Sequence, residues 1–291
     1  MEGLLIVAIL IRIFSNPVSN VIQKQLTLYQ HPFFVNFISY ALLAIISLVL
    51  AVQYPLNELP IGFWIYAAFG GAFGAFGNAF LVKALELGQL SILGPINAYK
   101  SIVGILIAFI LLGELPNVWA FLGVFLIIIG SYVVLKRPQE KFSLAIFRSE
   151  AILYRFLALV LTGTQAVFDK QVILHSNLTL AFVSWCFFGA FFSIPVLYLF
   201  KVDFKHEWRK IDKTAAGKYI FLSISIAIMV MSTNYTFSLM QVGPALALFQ
   251  VSILVAVFFG YSIFKESDLQ KKIVGSLVMI AGSVLIILAN K

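Results

Sequence analysis

The stretch ELPNVWAFLGVFLIIIGS, residues 114–131, returns later in the chain as ESDLQKKIVGSLVMIAGS, residues 266–283. Each copy opens on a glutamate, Glu114 or Glu266, and carries a glycine nine residues on, Gly123 or Gly275. Each closes on a Gly-Ser pair, Gly130-Ser131 or Gly282-Ser283, so a single displacement of 152 residues superposes all four positions. Lys24-Gln25 matches Lys170-Gln171 at a displacement of 146, and Ser39-Tyr40 matches Ser184-Trp185 at 145. Apolar helices of similar composition align by chance at one glycine. Several matches in the same order at a nearly constant offset mark an internal repeat.

Composition says what surrounds that repeat. Of 291 residues, 62% are apolar and 11% charged, with a mean hydropathy of +1.02. Soluble domains carry about 45–50% apolar and about 25% charged residues, so a water-soluble globule is excluded. A disordered chain, which needs low hydrophobicity, is excluded too. Apolar runs fall at about residues 3–23, 32–53, 61–84, 91–112, 117–135, 151–170, 178–200, 219–240, 245–264 and 271–289. A membrane-crossing helix needs about 20 such residues, and continuous runs without period-two alternation favour helices over barrel strands. The first run holds Arg12 at its centre and lacks a basic leader or A-x-A site, so it reads as a span and not as a cleaved signal. The expected fold is an all-α integral membrane protein with ten transmembrane helices in two inverted five-helix repeats. These are residues 1–135 and 151–291, joined by a basic loop at 136–150.

An odd number of spans per unit turns the second copy over, and the loop charges agree. The loop at about 54–60 has no Lys or Arg, while its counterpart carries Lys201, Lys205, Arg209, Lys210, Lys213 and Lys218. The loop at 113–116 has none either, and its counterpart carries Lys265, Lys271 and Lys272. Opposite bias in equivalent loops is what an inverted repeat requires. The same rule places loops 136–150, 201–218 and 265–272 in the cytoplasm and both termini outside. Phe204, Trp208 and Ile211 share one helical face opposite basic residues, as in a helix lying on an anionic leaflet; a solvated charged loop is the plainer reading. The net charge of +8 belongs to these orienting loops, so no nucleic-acid partner is expected. The single cysteine, Cys186, lies in an apolar run and forms no internal disulfide or CxxC pair.

Polar residues inside the runs carry the functional argument, because an ionisable group near the bilayer centre is costly and marks a site by default. Arg12 lies midway along the first run and Lys100 midway along the fourth. Arg12, Asn16, Asn20 and Lys24 recur every four residues as one stripe, with Pro17 beside it. Asn97, Lys100 and Ser101 form a second patch after Gly94-Pro95, and Thr162, Gln165 and Asp169 share a face of the sixth run. Asn78, Asn234, Tyr235, Gln250 and Ser252 add donors and acceptors, although asparagines in membrane helices more often bond helix to helix. Two central cations without an equally deep carboxylate suit an anionic ligand. Arg12, Asn16, Asn20, Asn97, Lys100 and Gln250 are therefore the candidate substrate-binding residues. Asp169 is a candidate for ion coupling, though its place near a helix end fits an interfacial salt bridge better. Gly70 and Gly74 have the small-xxx-small spacing that lets helices approach closely.

With these residues in view, the sequence resembles the drug/metabolite transporter superfamily, specifically its EamA-type members. The run KALELGQLSILGPINAYKS (Lys83 to Ser101), Gly113-Glu114 with Gly123 and Gly130, and the matching Glu266, Gly275 and Gly282 carry the resemblance. It implies an alternating-access carrier with a central cavity built from both halves. Members commonly export amino acids or related metabolites, and distant relatives exchange phosphorylated sugars. It also implies a bacterial inner membrane and both termini in the cytoplasm, the reverse of the charge count. The deep carboxylate of the small four-span drug pumps has no counterpart in the first run, where Arg12 and Asn16 stand.

The expected function is thus a secondary transporter, an exporter, of a small anion-bearing metabolite such as an amino acid or organic acid. A lipid flippase and a non-transporting structural or signalling subunit are the alternatives. An enzyme is disfavoured: His31, His175 and His206 lie at span ends or in loops, with no HExxH, GxSxG or paired-carboxylate arrangement. No cofactor or metal is expected. The expected partners are a small-molecule substrate and membrane lipid, with the chain a monomer or weak homodimer.

Overall fold

A computed structural model describes residues 2–100, 102–103, 118–135 and 149–289. The helices are α1 (Glu2–Leu26), α2 (Pro32–Ala51), α3 (Ile61–Leu87), α4 (Leu90–Ile96) and α5 (Val118–Leu135), then α6 (Glu150–Leu174) and α7 (Leu178–Leu199). A short α8 (Phe204–Arg209) follows, then α9 (Lys213–Leu239), α10 (Val242–Phe249), α11 (Ser252–Phe264) and α12 (Leu269–Ala289). No strand occurs among the described residues. The helix starts follow local chemistry. Asn177 Oδ1 accepts from Leu180 N at 2.9 Å, Asp203 Oδ1 from His206 N at 3.0 Å and Asp212 Oδ1 from Ala215 N at 2.6 Å. Each of these caps an N-terminus whose first N–H groups have no helical partner.

Among the described residues, nine helical stretches are long and apolar enough to cross a membrane. The protein is an integral multi-pass membrane protein. The expected tenth span, at 91–112, begins as α4 and a 3₁₀ turn at Asn97–Tyr99, and its remainder lies outside the described residues, as do Ser101, Glu114 and loop 136–148. Large apolar side chains such as Ile6, Val49, Phe125, Leu153, Phe191, Ile220 and Leu277 are exposed on the outer faces, where lipid tails replace water as solvent.

The two halves interlock by a pattern that is unchanged when they are exchanged. α2 packs on α7, α5 on α12 and α4 on α11, while α1 packs on α9 just as its counterpart α6 packs on α3. Repeat-equivalent residues meet directly. Tyr40 and Trp185 lie with ring centroids 4.7 Å apart. Lys24 Nζ, at the end of α1, donates to Gly88 O at the end of α3. Lys170 Nζ, at the end of α6, donates to Phe237 O and Met240 O at the end of α9.

The opening repeat motif has a packing reason. α5 and α12 cross at its glycines: a Cβ on Gly130 would lie 2.6 Å from Gly275 O, and one on Gly275 2.7 Å from Gly130 O. Gly123 and Gly282 face each other in the same manner. In α3, Gly70, Gly74 and Gly77 sit against Asp169, Gln165 and Thr162 of α6, so the small-residue spacing is a helix-packing device.

The basic loop after α7 contains the short α8, and Ile211 of the expected apolar face lies beyond its end. Phe204 and Trp208 stack at 5.9 Å, both partly exposed, and Phe204 meets the edges of Phe34 and Phe37. Buried Glu207 holds α8 down by accepting from His31 N at 2.8 Å.

Gly130→Leu is expected to lower the melting temperature in detergent by several degrees, since overpacking of a tight contact costs about 1–3 kcal/mol. Gly163, where an added methyl would meet nothing within 4 Å, should accept alanine without loss.

Candidate functional site

Between the halves lies a cavity of about 150 Å³. Its walls include Arg12, Asn16 and Asn20 from α1, Tyr40 from α2, and Asn78 from α3. Asn97 and Lys100 come from the turn after α4, Arg155, Thr162, Gln165 and Asp169 from α6, Trp185 from α7, Thr233 and Asn234 from α9, and Phe249 from α10.

Two helices break beside it, at equivalent places. After α4 the chain tightens into the 3₁₀ turn Asn97–Tyr99. After α10 the same tightening occurs, with Gln250 N bonded to Ala247 O at 3.1 Å and Val251 N to Leu248 O at 3.3 Å. These turns, 97–99 and 249–251, are again 152 residues apart. Gly94-Pro95 stands three residues before the first break, and a matching pair, Gly243-Pro244, stands six residues before the second. Discontinuous helices at a repeat interface are where transporters build their sites.

A tightened turn leaves carbonyls without their α-helical donors, and Arg155 meets one of them. Its Nε donates to Leu93 O at 2.9 Å and its Nη2 to Asn97 Oδ1 at 2.9 Å. Asn97 Nδ2 in turn reaches Gln250 Oε1 at 3.3 Å. Arg155 is thus a third cation in the wall, absent from the sequence-based candidates. A cation near the start of a helix is unremarkable in the sequence, and only the fold turns this one inward.

The candidate residues fall as follows. Arg12 donates from Nε to Thr233 Oγ1 at 2.8 Å and lies over the Phe249 ring, 5.0 Å from its centroid. Lys100 is half-buried, and no acceptor among the described residues holds its ammonium. Asn16 and Asn20 line the cavity with no side-chain hydrogen bond to another described residue, so they are not the helix-to-helix bonds their residue type suggests. Asn97 lines it as well. Gln250 does not: it is 1% exposed and sits behind Asn97. Lys24, the last member of the α1 stripe, also leaves the cavity. Asp169 was expected in an interfacial ion pair. It faces the cavity instead, with Gln165 Nε2 donating to it at 3.0 Å and no ion-pair partner among the described residues.

A second polar cluster closes the bundle at its basic end. Glu266 Oε1 accepts from Leu90 N at 2.8 Å, and its Oε2 from Ser91 N at 2.8 Å and from the Ser91 hydroxyl. Lys24 stands 3.8 Å from the carboxylate, and Lys272 Nζ donates to Gln89 Oε1 at 3.1 Å and Ser91 Oγ at 2.7 Å. Glu266, from the second half, thereby caps the first helix of the broken span in the first half.

The EamA-like transporter family matches the sequence twice, over residues 3–136 and 149–288. The chain belongs to the EamA-like transporter family. It is a membrane transporter, of a family whose members are transporters and not enzymes. No curated protein matches this EamA-like chain. Among solved structures, one crystal structure of a protein is similar at a TM-score of 0.62 and 13% identity, covering 96% of this chain and 95% of that one. At that identity the likeness speaks for the fold.

Replacing Arg155 with Met should cost about 1–3 kcal/mol, because Leu93 O is left buried and unpaired, and the melting temperature should fall. Glu266→Ala should loosen the basic end. In a Cys186→Ala background, a cysteine placed at Ser39, which lines the cavity, should then label faster with a membrane-impermeant maleimide added at that end.

Proposed function

We propose that this EamA-like protein is a secondary active exporter of a small anion-bearing metabolite, an amino acid or organic acid, working by alternating access. One observation carries the reading: Arg12 and Lys100, from two different spans, line a single cavity, and Lys100 has no acceptor among the described residues. Cations held in a low-dielectric wall without a carboxylate partner attract an anion strongly. Arg12 and Lys100 take the anionic group, and Asn16, Asn20 and Asn97 meet its other polar atoms. Gln250 positions Asn97. Asp169, in the wall of the same cavity, carries the coupling proton, and the two halves rock about the site to expose it to each side in turn. The basic loops 201–218 and 265–272 face the cytoplasm of a bacterial inner membrane, and the chain works as a monomer or weak homodimer.

In proteoliposome counterflow with a panel of amino acids, organic acids and sugar phosphates, one anionic class should exchange. Arg12→Ala and Lys100→Ala should each cut its flux about tenfold or more, the worth of a charge-assisted hydrogen bond. Undiminished flux in both variants refutes the assignment. Asp169→Asn should retain exchange yet abolish the response to an imposed pH gradient. Labelling of a cysteine at Lys210 only from the cytoplasmic side would establish the orientation.

A further inference from the structure

Most polar groups in the cavity wall are already engaged. Arg155 is committed to Leu93 O and Asn97, Gln165 to Asp169, Thr162 to Ala158 O, and Asn78 to Asn36. Two donors are not. Arg12 Nη1 and Asn234 Nδ2 are both buried, and neither has a hydrogen-bond acceptor among the described residues. The other buried side-chain atoms in that condition, Ser15 Oγ, Gln30 Nε2 and Ser223 Oγ, belong to residues outside the lining.

Both orphans belong to residues that line the same cavity, on helices that pack together. Thr233, whose hydroxyl receives Arg12 Nε at 2.8 Å, immediately precedes Asn234. The guanidinium is held at one edge by Thr233 and on one face by Phe249, which leaves its remaining edge fixed in direction. A buried donor without an acceptor carries its full desolvation penalty, and a charged donor more than a neutral one. Both groups are N–H donors and one is a cation, so the missing partner is an acceptor with negative charge. Two oxygens on one carbon or phosphorus can meet two donors at once.

We propose that Arg12 and Asn234 form a two-donor clamp for one oxyanion, a carboxylate or phosphoryl group, closed across the seam between α1 and α9. The clamp rests on the proposed function only in taking this oxyanion to be the substrate's own. Asn234 is then a specificity-determining residue. Arg12 belongs to the first half and Asn234 to the second, so the anion ties the halves together. An empty clamp leaves two buried donors unmet when the seam is closed. Closure without cargo is disfavoured, and closure with cargo is rewarded.

Thermal unfolding of the purified full-length protein in detergent, followed by tryptophan fluorescence, tests this. The probes are acetate, inorganic phosphate and choline, with ionic strength held constant by chloride. Acetate, phosphate or both should raise the wild-type melting temperature and choline should not; acetate alone identifies a carboxylate site and phosphate alone a phosphoryl site. Asn234→Leu removes an unmet donor, so the anion-free protein should melt at the same temperature or higher, while the anion-induced rise disappears. A purely structural asparagine would give the reverse, a lower anion-free melting temperature with the anion response intact, and that result overturns the proposal. Asn234→Asp guards against misfolding of the leucine variant. It places a carboxylate against Arg12 and should stabilise the protein while abolishing the response; a retained response overturns the clamp. In counterflow, Asn234→Leu should raise the apparent KM for the anion about tenfold or more. An unchanged KM refutes the clamp and leaves the proposed transporter standing, whereas anion binding without any flux refutes the transporter and leaves the clamp standing.

Discussion

Hydrocarbon offers no hydrogen-bond partner, so each polar group carried into the membrane must be met by the protein or by a hollow inside it. That constraint arranges the whole centre of this molecule. The tightened turns at 97–99 and 249–251 release carbonyls, and Arg155 is placed to receive one of them at Leu93. The same guanidinium orients Asn97, which reaches Gln250 across the interface. Arg12 is steadied by a hydroxyl and an aromatic face, both from the opposite half. The cavity exists because these groups need something other than lipid to face.

The two halves share a plan but differ in how their equivalent seams are made. Against α6, α3 presents Gly70, Gly74 and Gly77, so that seam is a close backbone contact. Against α1, α9 presents Thr233 and Ser225, which bond Arg12, Ser19 Oγ at 2.9 Å and Ser15 O at 3.3 Å. A glycine seam is set by van der Waals fit and has little room to vary. A hydroxyl seam is made of bonds that can be exchanged for others of similar worth. Arg12 lies at the exchangeable seam, and Asp169 lies at the tight one. Each end of the bundle also has a lysine bonded to carbonyls at a helix terminus, Lys24 at Gly88 and Lys170 at Phe237.

Much of this was legible in the residues. The hydropathy runs located the helices, because length and apolarity are what a membrane selects. The displacement of 152 residues exposed the repeat, and its glycines proved to be the points where α5 and α12 cross. Arg12, Asn16, Asn20, Asn97 and Lys100 were readable as a polar set because a charge amid apolar residues stands out in one dimension. Arg155 and the break in the second half were not. Arg155 follows closely on a helix start, where a cation is unremarkable, and the break at 249–251 lies a full α10 beyond the start of its span, farther from its Gly243-Pro244 pair than the first break is from Gly94-Pro95.

By itself, then, the sequence determined a helical membrane protein built from a repeated unit with cations at mid-depth, since composition and spacing are properties of the chain alone. Tertiary structure decided which polar residues share a space. It sent Lys24 to the basic end, put Gln250 behind Asn97 and brought Asp169 to the cavity. The reason is physical: the direction a side chain faces in a bundle depends on which helices surround it, and those neighbours come from the other half of the chain, about 150 residues away.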